Sequence, residues 1–394
     1  MPKAPSTHWP SVITLWLCGI VAAMQFSKVS LAFMALQSHY AVSAASMGWI
    51  LSTVGVVGLL CGVTMGLFAP SIGYRRLLLA GLGLGAVLAL VQSFLLPFPL
   101  FWATRALEGA SHLAVVVAAP TLMAVSAGPG HRSVAMGLWS TFVGAAFAIS
   151  AAVLPLVLAQ LGLSAVFYLH ATVLVMAAVA VFFLVPADTV PLGTHPRPAV
   201  SALLAQHVAI YTHWTTALPG LCFLCYTFMA VALLTFVPTL TGPDRLWMAG
   251  VLPLMGVAGT FCAGWLAQYW VSPLVLTRAA FVAVAIVALA TGAFLLAGWW
   301  LPPVALLLMF CAGVAGGSSF ALIPYLNDQS ALQARANGAV AQLGNLGSTL
   351  GPPTFALAVS VWGGPGLASA AAVCACVGTG LALWGKRHHA RLQT

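Results

Sequence analysis

Of 394 residues, 62% are hydrophobic and only 4% are charged, and the mean hydropathy is +1.07. A soluble domain carries about 25% charged residues, so this chain cannot build a water-facing surface and most of it must be solvated by lipid. The formal charge of +9 raises nucleic acid as a partner, and the positions of the basic residues argue against it.

In hydrocarbon a backbone must satisfy its own hydrogen bonds, which leaves helices and closed barrels. Barrel strands read as short alternating segments, and nothing in this sequence alternates. Apolar runs long enough for a helical span, roughly 20 residues, fall at 11–36, 45–69, 75–96, 99–126, 133–160, 164–185, 214–238, 246–270, 273–297, 299–324, 335–361 and 363–385. The expectation is an all-α membrane protein of twelve transmembrane helices in two pseudo-symmetric six-helix bundles, residues 1–185 and 214–394, joined by a loop over 186–213. The first run is too long for the apolar core of a signal peptide, and Gln25 and Lys28 interrupt it, so it is expected to be retained as a span.

With these spans, Lys3, Arg75, Arg76, Arg132, Arg197, Arg278, Arg335, Lys386, Arg387 and Arg391 fall at the termini or at even-numbered connections, and only Arg245 at an odd-numbered one. That asymmetry predicts both termini in the cytoplasm and accounts for the basic balance without nucleic acid; the expected setting is a bacterial cytoplasmic (inner) membrane. Trp9, Trp214, Trp299, Trp300 and Trp362 lie near span ends, where interfacial aromatics collect. Cys222 and Cys225 form a CxxC on an apolar helix with no second pair, which reads as small packing residues; no metal site is expected.

The longest polar stretch, from Pro186 to about His213, contains Pro191, Pro196 and Pro198 and separates six spans from six. Its part from Ala199 to Tyr211 suits a short surface helix. The halves resemble each other. Pro120 precedes a polar connection, Arg132 and Ala135-Met136-Gly137; Pro324 precedes a polar connection, Arg335 and Ala336-Asn337-Gly338. A weak parallel repeat of six spans is a feature of secondary transporters, with the solute site near mid-membrane. Glycine ladders occur in the second span (Gly55, Gly58, Gly62, Gly66), the eighth (Gly256, Gly259, Gly264) and the eleventh (Gly344, Gly347, Gly351). They serve either static packing or sliding of closely apposed helices. Gly81, Gly83 and Gly85 lie within a span and so do not form a dinucleotide site.

The connection after the second span reads Gly66-Leu67-Phe68-Ala69-Pro70-Ser71-Ile72-Gly73-Tyr74-Arg75-Arg76, and the fourth span contains Arg105-Ala106-Leu107-Glu108-Gly109. The first resembles the G-x-L-A-D-R-x-G-R-R signature of the major facilitator superfamily, and the second its R-x-x-x-G element. The resemblance implies the twelve-helix fold of that superfamily, with the first and fourth helices lining a central cavity. It also implies a role in conformational gating for Gly66, Gly73, Arg75 and Arg76. Pro70 and Ser71 replace the signature's acid and first basic residue, so the resemblance does not carry over its charge latch; Arg75 and Arg76 remain suited to helix C-terminal carbonyls or lipid phosphate.

Charges inside a bilayer are costly, by about 2.5–3.5 kcal/mol on insertion scales. Three fall well inside spans: Lys28, Arg105 and Glu108. Lys28 lies roughly 25 Å along the first helix, at a depth similar to Arg105 and Glu108 near the outer end of the fourth. Arg105, Glu108 and His112 share one helix face. Either Glu108 neutralises a neighbour and the group only ties helices together, or two cations facing one carboxylate attract an anion while Glu108 takes up a proton. His112 is the second candidate for the proton, and His170 is expected at the interface. Gln25, Tyr226, Gln342 and Asn345 join Lys28 and Arg105 as candidate substrate-binding residues, with Ser318 and Ser319 as further polar positions and Asp328 and Arg335 as a possible gate pair. Pro352 and Pro353 free backbone carbonyls near the eleventh helix.

The expected function is alternating-access transport of a small-molecule substrate, a small anion taken up with protons, with proton-driven efflux of drugs or metabolites as the alternative. No catalytic residue, cofactor or nucleic-acid partner is expected. The proton gradient is the expected energy source, membrane lipid the surrounding partner, and a monomer the working unit. A membrane-embedded enzyme would need clustered acids, histidines or a nucleophile–base pair, and the sequence offers none.

Overall fold

The computed structural model describes residues 7–128, 131, 135, 138–139, 141–188, 205, 208, 211–327 and 330–391. Among them the regular structure is helical, and no strand occurs. The long helices are α1 (Trp9–Leu31), α2 (Phe33–Tyr40), α3 (Ala44–Ile72), α4 (Tyr74–Gln92), α5 (Phe98–Ser126), α6 (Phe142–Leu184), α7 (Trp214–Leu240), α8 (Arg245–Tyr269), α9 (Pro273–Ala297), α10 (Pro302–Leu326) and α11 (Ser330–Arg391).

Local chemistry sets their ends. Proline opens α1, α5, α9 and α10 in the first turn, where its missing N–H costs nothing. Gly298, at φ +66°, closes α9 in the left-handed conformation that favours glycine. Two helices are too long for one crossing and are broken by a glycine at positive φ: Gly162 (φ +81°) in α6 and Gly363 (φ +62°) in α11. Among the described residues ten helices are long and apolar enough to cross a membrane, and these two breaks turn them into twelve passes, the number read from the sequence. Helix α1 ends at Leu31, short of the expected residue 36, and α6 begins at Phe142, where the fifth span is expected from residue 133. Leu107, Leu156, Ile286 and Leu289, all well inside span-length helices, are more than half exposed, as the lipid-facing side of a bundle is. The chain is an integral, multi-pass membrane protein.

By contacts the chain forms two units, Met1–Tyr40 with Cys61–Leu203, and Ala41–Leu60 with Leu204–Thr394. In the first, α4 lies close on α5 because Gly81 and Gly85 face Ala114 and Ser111. The Ser111 hydroxyl donates to the Gly81 carbonyl at 2.7 Å. The in-span GxGxG is thus a packing device, with Gly83 open to its surroundings.

In the second unit, Gly347 and Gly351 of α11 rest directly on the α7 backbone at Leu224 and Phe228. Gly259 of α8 does the same against Phe310 and Gly313 of α10, while Gly256 faces the Met309 side chain. Residues 41–60 group with this unit because Gly48 lies on Pro352–Pro353, Gly55 on Thr349 and Gly58 on Asn345. The ladders therefore divide: Gly62, Gly66 and Gly264 have open space where a side chain would go. The Cys222–Cys225 pair is buried, and the Cys374 thiol donates to the Cys225 carbonyl at 3.2 Å.

Lys3, Arg132, Met136, Gly137, Arg197, Asp328 and most of the stretch from Ala199 to Ile210 lie outside the described residues.

Candidate functional site

The first unit encloses one ionic centre, assembled from four helices. Lys28 stands in the last turn of α1, Gln92 is the last residue of α4, Arg105 and Glu108 are one turn apart on α5, and His170 comes from α6 beyond its Gly162 break. All five are sealed, with exposures of 4% or less.

The hydrogen bonds follow from what each group can give. An ammonium has three donors and no acceptor, and the Lys28 Nζ finds three acceptors: Glu108 Oε1 at 2.7 Å, Gln92 Oε1 at 2.9 Å and His170 Nδ1 at 3.0 Å. The Phe167 ring adds a cation–π contact, its centroid 5.2 Å from Nζ. Glu108 Oε2 accepts from Arg105 Nη1 and from Gln92 Nε2, the latter at 2.9 Å. Gln92 Nε2 also donates to Thr104 Oγ1 at 3.2 Å. The Gln92 amide thus turns its oxygen to the ammonium and its nitrogen to the carboxylate. Two cations and one carboxylate leave the centre with one excess positive charge.

Lys28, Arg105 and Glu108, identified from the cost of charge in lipid, therefore meet in one cluster. His170 corrects the expectation of an interfacial residue. It is 4% exposed, and its Nε2 donates to the Val21 carbonyl at 3.0 Å while its Nδ1 faces Lys28 and lies 4.0 Å from Glu108 Oε1. Gln92 and Thr104 were missed by sequence reasoning. The only hint was polar side chains at the depth of the charges, on spans whose rotation the sequence leaves open.

The neighbouring candidates have other partners. Gln25 Nε2 donates to Ser111 Oγ at 3.0 Å, which ties α1 to α5. His112 is half-buried, gives its Nδ1–H to the Ala22 carbonyl at 3.1 Å, and meets Phe26 edge-on at 5.2 Å.

In the second unit, Tyr226 packs on Gly316 and against the Phe223 ring, 5.4 Å between centroids. Gln342 accepts from the Tyr211 hydroxyl at 2.8 Å and donates to the Leu59 carbonyl at 3.2 Å. Asn345 donates to the Ala341 carbonyl at 2.8 Å and lies against Gly58. Ser318 and Ser319 both bond back to the Ala315 carbonyl within their own helix.

The α3–α4 connection holds a second polar arrangement. Pro70 lies inside α3, and Ser71 bonds back to the Phe68 carbonyl at 2.8 Å, so the signature's acid has no replacement at that position. A carboxylate arrives from elsewhere. Asp188, just past α6, accepts the backbone N–H of Arg75 on Oδ1 and that of Arg76 on Oδ2, each at 3.0 Å. It thereby caps α4, whose N-terminal amides have no partner within the helix. Gly73 lets the carboxylate in: at φ +93° it has the backbone that favours glycine, and a Cβ there would stand 2.6 Å from Asp188 Oδ2. Arg75 completes the join, its Nη2 donating to the Phe182 carbonyl in the last turn of α6 at 2.6 Å. Asp188→Ala is expected to lower stability by about 1 kcal/mol, the usual worth of an N-cap. The check is thermal unfolding in detergent, with Asp188→Asn losing less because one oxygen acceptor survives.

Span-length helices, two of them broken at glycines, define a polytopic membrane protein, and its first unit holds a sealed ionic centre. Residues 15–352 match the family model of the Major Facilitator Superfamily, and the chain belongs to that superfamily. A stretch of 251 residues, 60% of the chain, is 28% identical to the 3-(3-hydroxy-phenyl)propionate transporter of Escherichia coli (strain K12) and covers 60% of it. Another of 172 residues, 44% of the chain, is 26% identical to the tetracenomycin C resistance and export protein of Streptomyces glaucescens and covers 32% of that protein. The matched stretch is thus less than two thirds of either relative's length. The fold is similar to that of a bacterial homologue of the human lysosomal transporter Spinster in an inward-facing and occupied conformation: TM-score 0.65 at 12% identity, over 94% of this chain and 93% of that one.

Proposed function

We propose that the protein takes up a small organic anion together with a proton, by alternating access, with Glu108 as the proton acceptor and Lys28 and Arg105 as the groups that attract the anion. The observation that carries the reading is the excess positive charge of the buried centre, two cations on one carboxylate. Protonating Glu108 removes the shared counter-charge, and two cations then face each other in a low-dielectric interior. An anion is the group that relieves them. A proton and a monoanion entering together leave the centre's net charge as it was empty. The carrier then makes its loaded and empty transitions in the same charge state, and uptake of a monoanion with one proton is electroneutral.

The similarity to a 3-(3-hydroxy-phenyl)propionate transporter supports an aromatic monocarboxylate as the first substrate to try. The setting proposed is a bacterial cytoplasmic membrane with both termini inside, a monomer, no cofactor and the proton gradient as energy source. Gln25, Tyr226, Gln342 and Asn345 are the further candidates for the solute's polar and aromatic contacts, and His112 for the proton. The shorter similarity to an export protein favours a second reading, proton-antiport efflux.

The test is uptake of labelled 3-(3-hydroxyphenyl)propionate into proteoliposomes with the pH gradient imposed in either direction. Glu108→Gln is expected to lose gradient-driven accumulation and keep exchange at equal pH, and Lys28→Ala to weaken binding. Normal accumulation by Glu108→Gln would falsify the coupling role. Accumulation only when the inside is acidic would convert the reading to efflux.

A further inference from the structure

We infer that His170 is the entry point for the coupling proton, and that on protonation it takes the place of Lys28 at Glu108 and releases the ammonium. The inference rests on the uptake reading and names a residue that reading does not use.

The starting protonation state follows from the neighbours. The Val21 carbonyl can only accept, so His170 Nε2 carries the hydrogen of their 3.0 Å bond. The Lys28 ammonium can only donate, so His170 Nδ1 presents a bare lone pair to it at 3.0 Å. The imidazole is therefore neutral, with its basic nitrogen aimed into the centre. Among the described residues the charged groups facing it are Lys28 from α1 and Glu108 from α5, with Arg105 behind the carboxylate and the neutral Gln92 from α4 beside the ammonium.

Competition for an incoming proton favours this nitrogen. Glu108 receives three donors, Lys28 on Oε1 and both Arg105 and Gln92 on Oε2, so protonating it gives up the attraction of two cations at once. His170 Nδ1 gives up one bond, to Lys28. Once protonated, Nδ1 becomes a donor. It then faces a like charge 3.0 Å away and a carboxylate oxygen 4.0 Å away. The relaxed arrangement has Nδ1–H on Glu108 Oε1 and the Lys28 side chain swung off the carboxylate. The proton came from water, no other covalent bond changes, and the hydrogen bond to Oε1 is the route by which Glu108 later shares the proton. Lys28, freed of its counter-ion, is the ligand for the anion. The exchange ties anion binding to prior protonation.

The test uses the full-length protein and labelled 3-(3-hydroxyphenyl)propionate in proteoliposomes. His170→Gln keeps an acceptor for Lys28 and a donor for Val21, with His170→Asn as the substitute should it not fold. The expected result is a fall of about tenfold or more in gradient-driven accumulation and in exchange at equal pH alike, in a variant whose unfolding temperature in detergent stays with the parent's. Nitrogen NMR of histidine-labelled parent protein in nanodiscs, assigned by difference against either variant, should show the His170 ring passing from the neutral form to the imidazolium as the pH is lowered through the range in which the protein accumulates solute. Parent-like accumulation by His170→Gln while Glu108→Gln fails to accumulate would overturn the inference and leave the uptake reading standing. A His170 ring that stays neutral at every pH in exchange-competent protein would overturn it too. Parent-like accumulation by Glu108→Gln would instead bring down the reading beneath it.

Discussion

Glu108→Ala is expected to destabilise the protein by about 3–5 kcal/mol, the range measured when one partner of a buried ion pair is removed and the other is left without compensation. The lost carboxylate is the only acid among the three charges, and it holds both cations at once: Lys28 Nζ at 2.7 Å on Oε1, and Arg105 on Oε2. With alanine in its place, two cations share an interior shielded from bulk solvent, since Lys28 and Arg105 are at most 1% exposed. Lys28→Met should cost far less, because Arg105 and Glu108 still neutralise each other and the thioether fills the volume of the lysine stem. Glu108→Gln should fall between the two, since its amide keeps an oxygen for the ammonium. Thermal unfolding of the three variants in one detergent reads the order. A Glu108→Ala protein that melts with the parent would mean that the carboxylate does not neutralise Lys28 and Arg105 in the membrane.

That same chemistry explains what was legible beforehand. Lys28, Arg105 and Glu108 are conspicuous in the sequence because lipid makes each one expensive, and the helical spacing of Arg105 and Glu108 fixes one ion pair without any tertiary information. Gln92 and His170 belong to the same centre and carried no such mark. Each is a polar residue near a span end, where such residues are common, and only the rotation of α4 and of the second part of α6 turns them inward. Asp188 carried no mark in the sequence for the same reason: nothing local says that a carboxylate just past α6 reaches the α4 amides. Gly73 was picked out by resemblance to a family signature, and its structural reason, a left-handed backbone against which the carboxylate of Asp188 lies, became visible only with the partner in place. The number of spans was readable, and so were the short connections where Gly162 and Gly363 break α6 and α11, because hydrocarbon thickness sets the length of every crossing. The grouping of residues 41–60 with the second unit was not, because it depends on which glycines find a neighbour.

The glycine ladders supply the second large effect. Gly351→Ala should destabilise by about 1–3 kcal/mol, the usual cost of forcing an extra methyl group into a packed interface, whereas Gly62→Ala should be neutral or slightly stabilising. The two glycines are indistinguishable by sequence, each standing four residues from another glycine in an apolar helix. Their surroundings differ. A Cβ on Gly351 would collide with the Phe228 carbonyl of α7, and one on Gly347 would lie 2.5 Å from the Leu224 carbonyl oxygen. These obstacles are backbone atoms of a neighbouring helix, which cannot swing aside as a side chain does, so α7 and α11 must separate along the whole contact. No atom approaches the corresponding position of Gly62, and alanine there gains the helix propensity that glycine lacks, about 1 kcal/mol. Unfolding temperatures measured side by side in detergent decide between packing and mere composition. Equal shifts for the two variants would show that the ladder residues of α11 are not seated on α7 in the membrane.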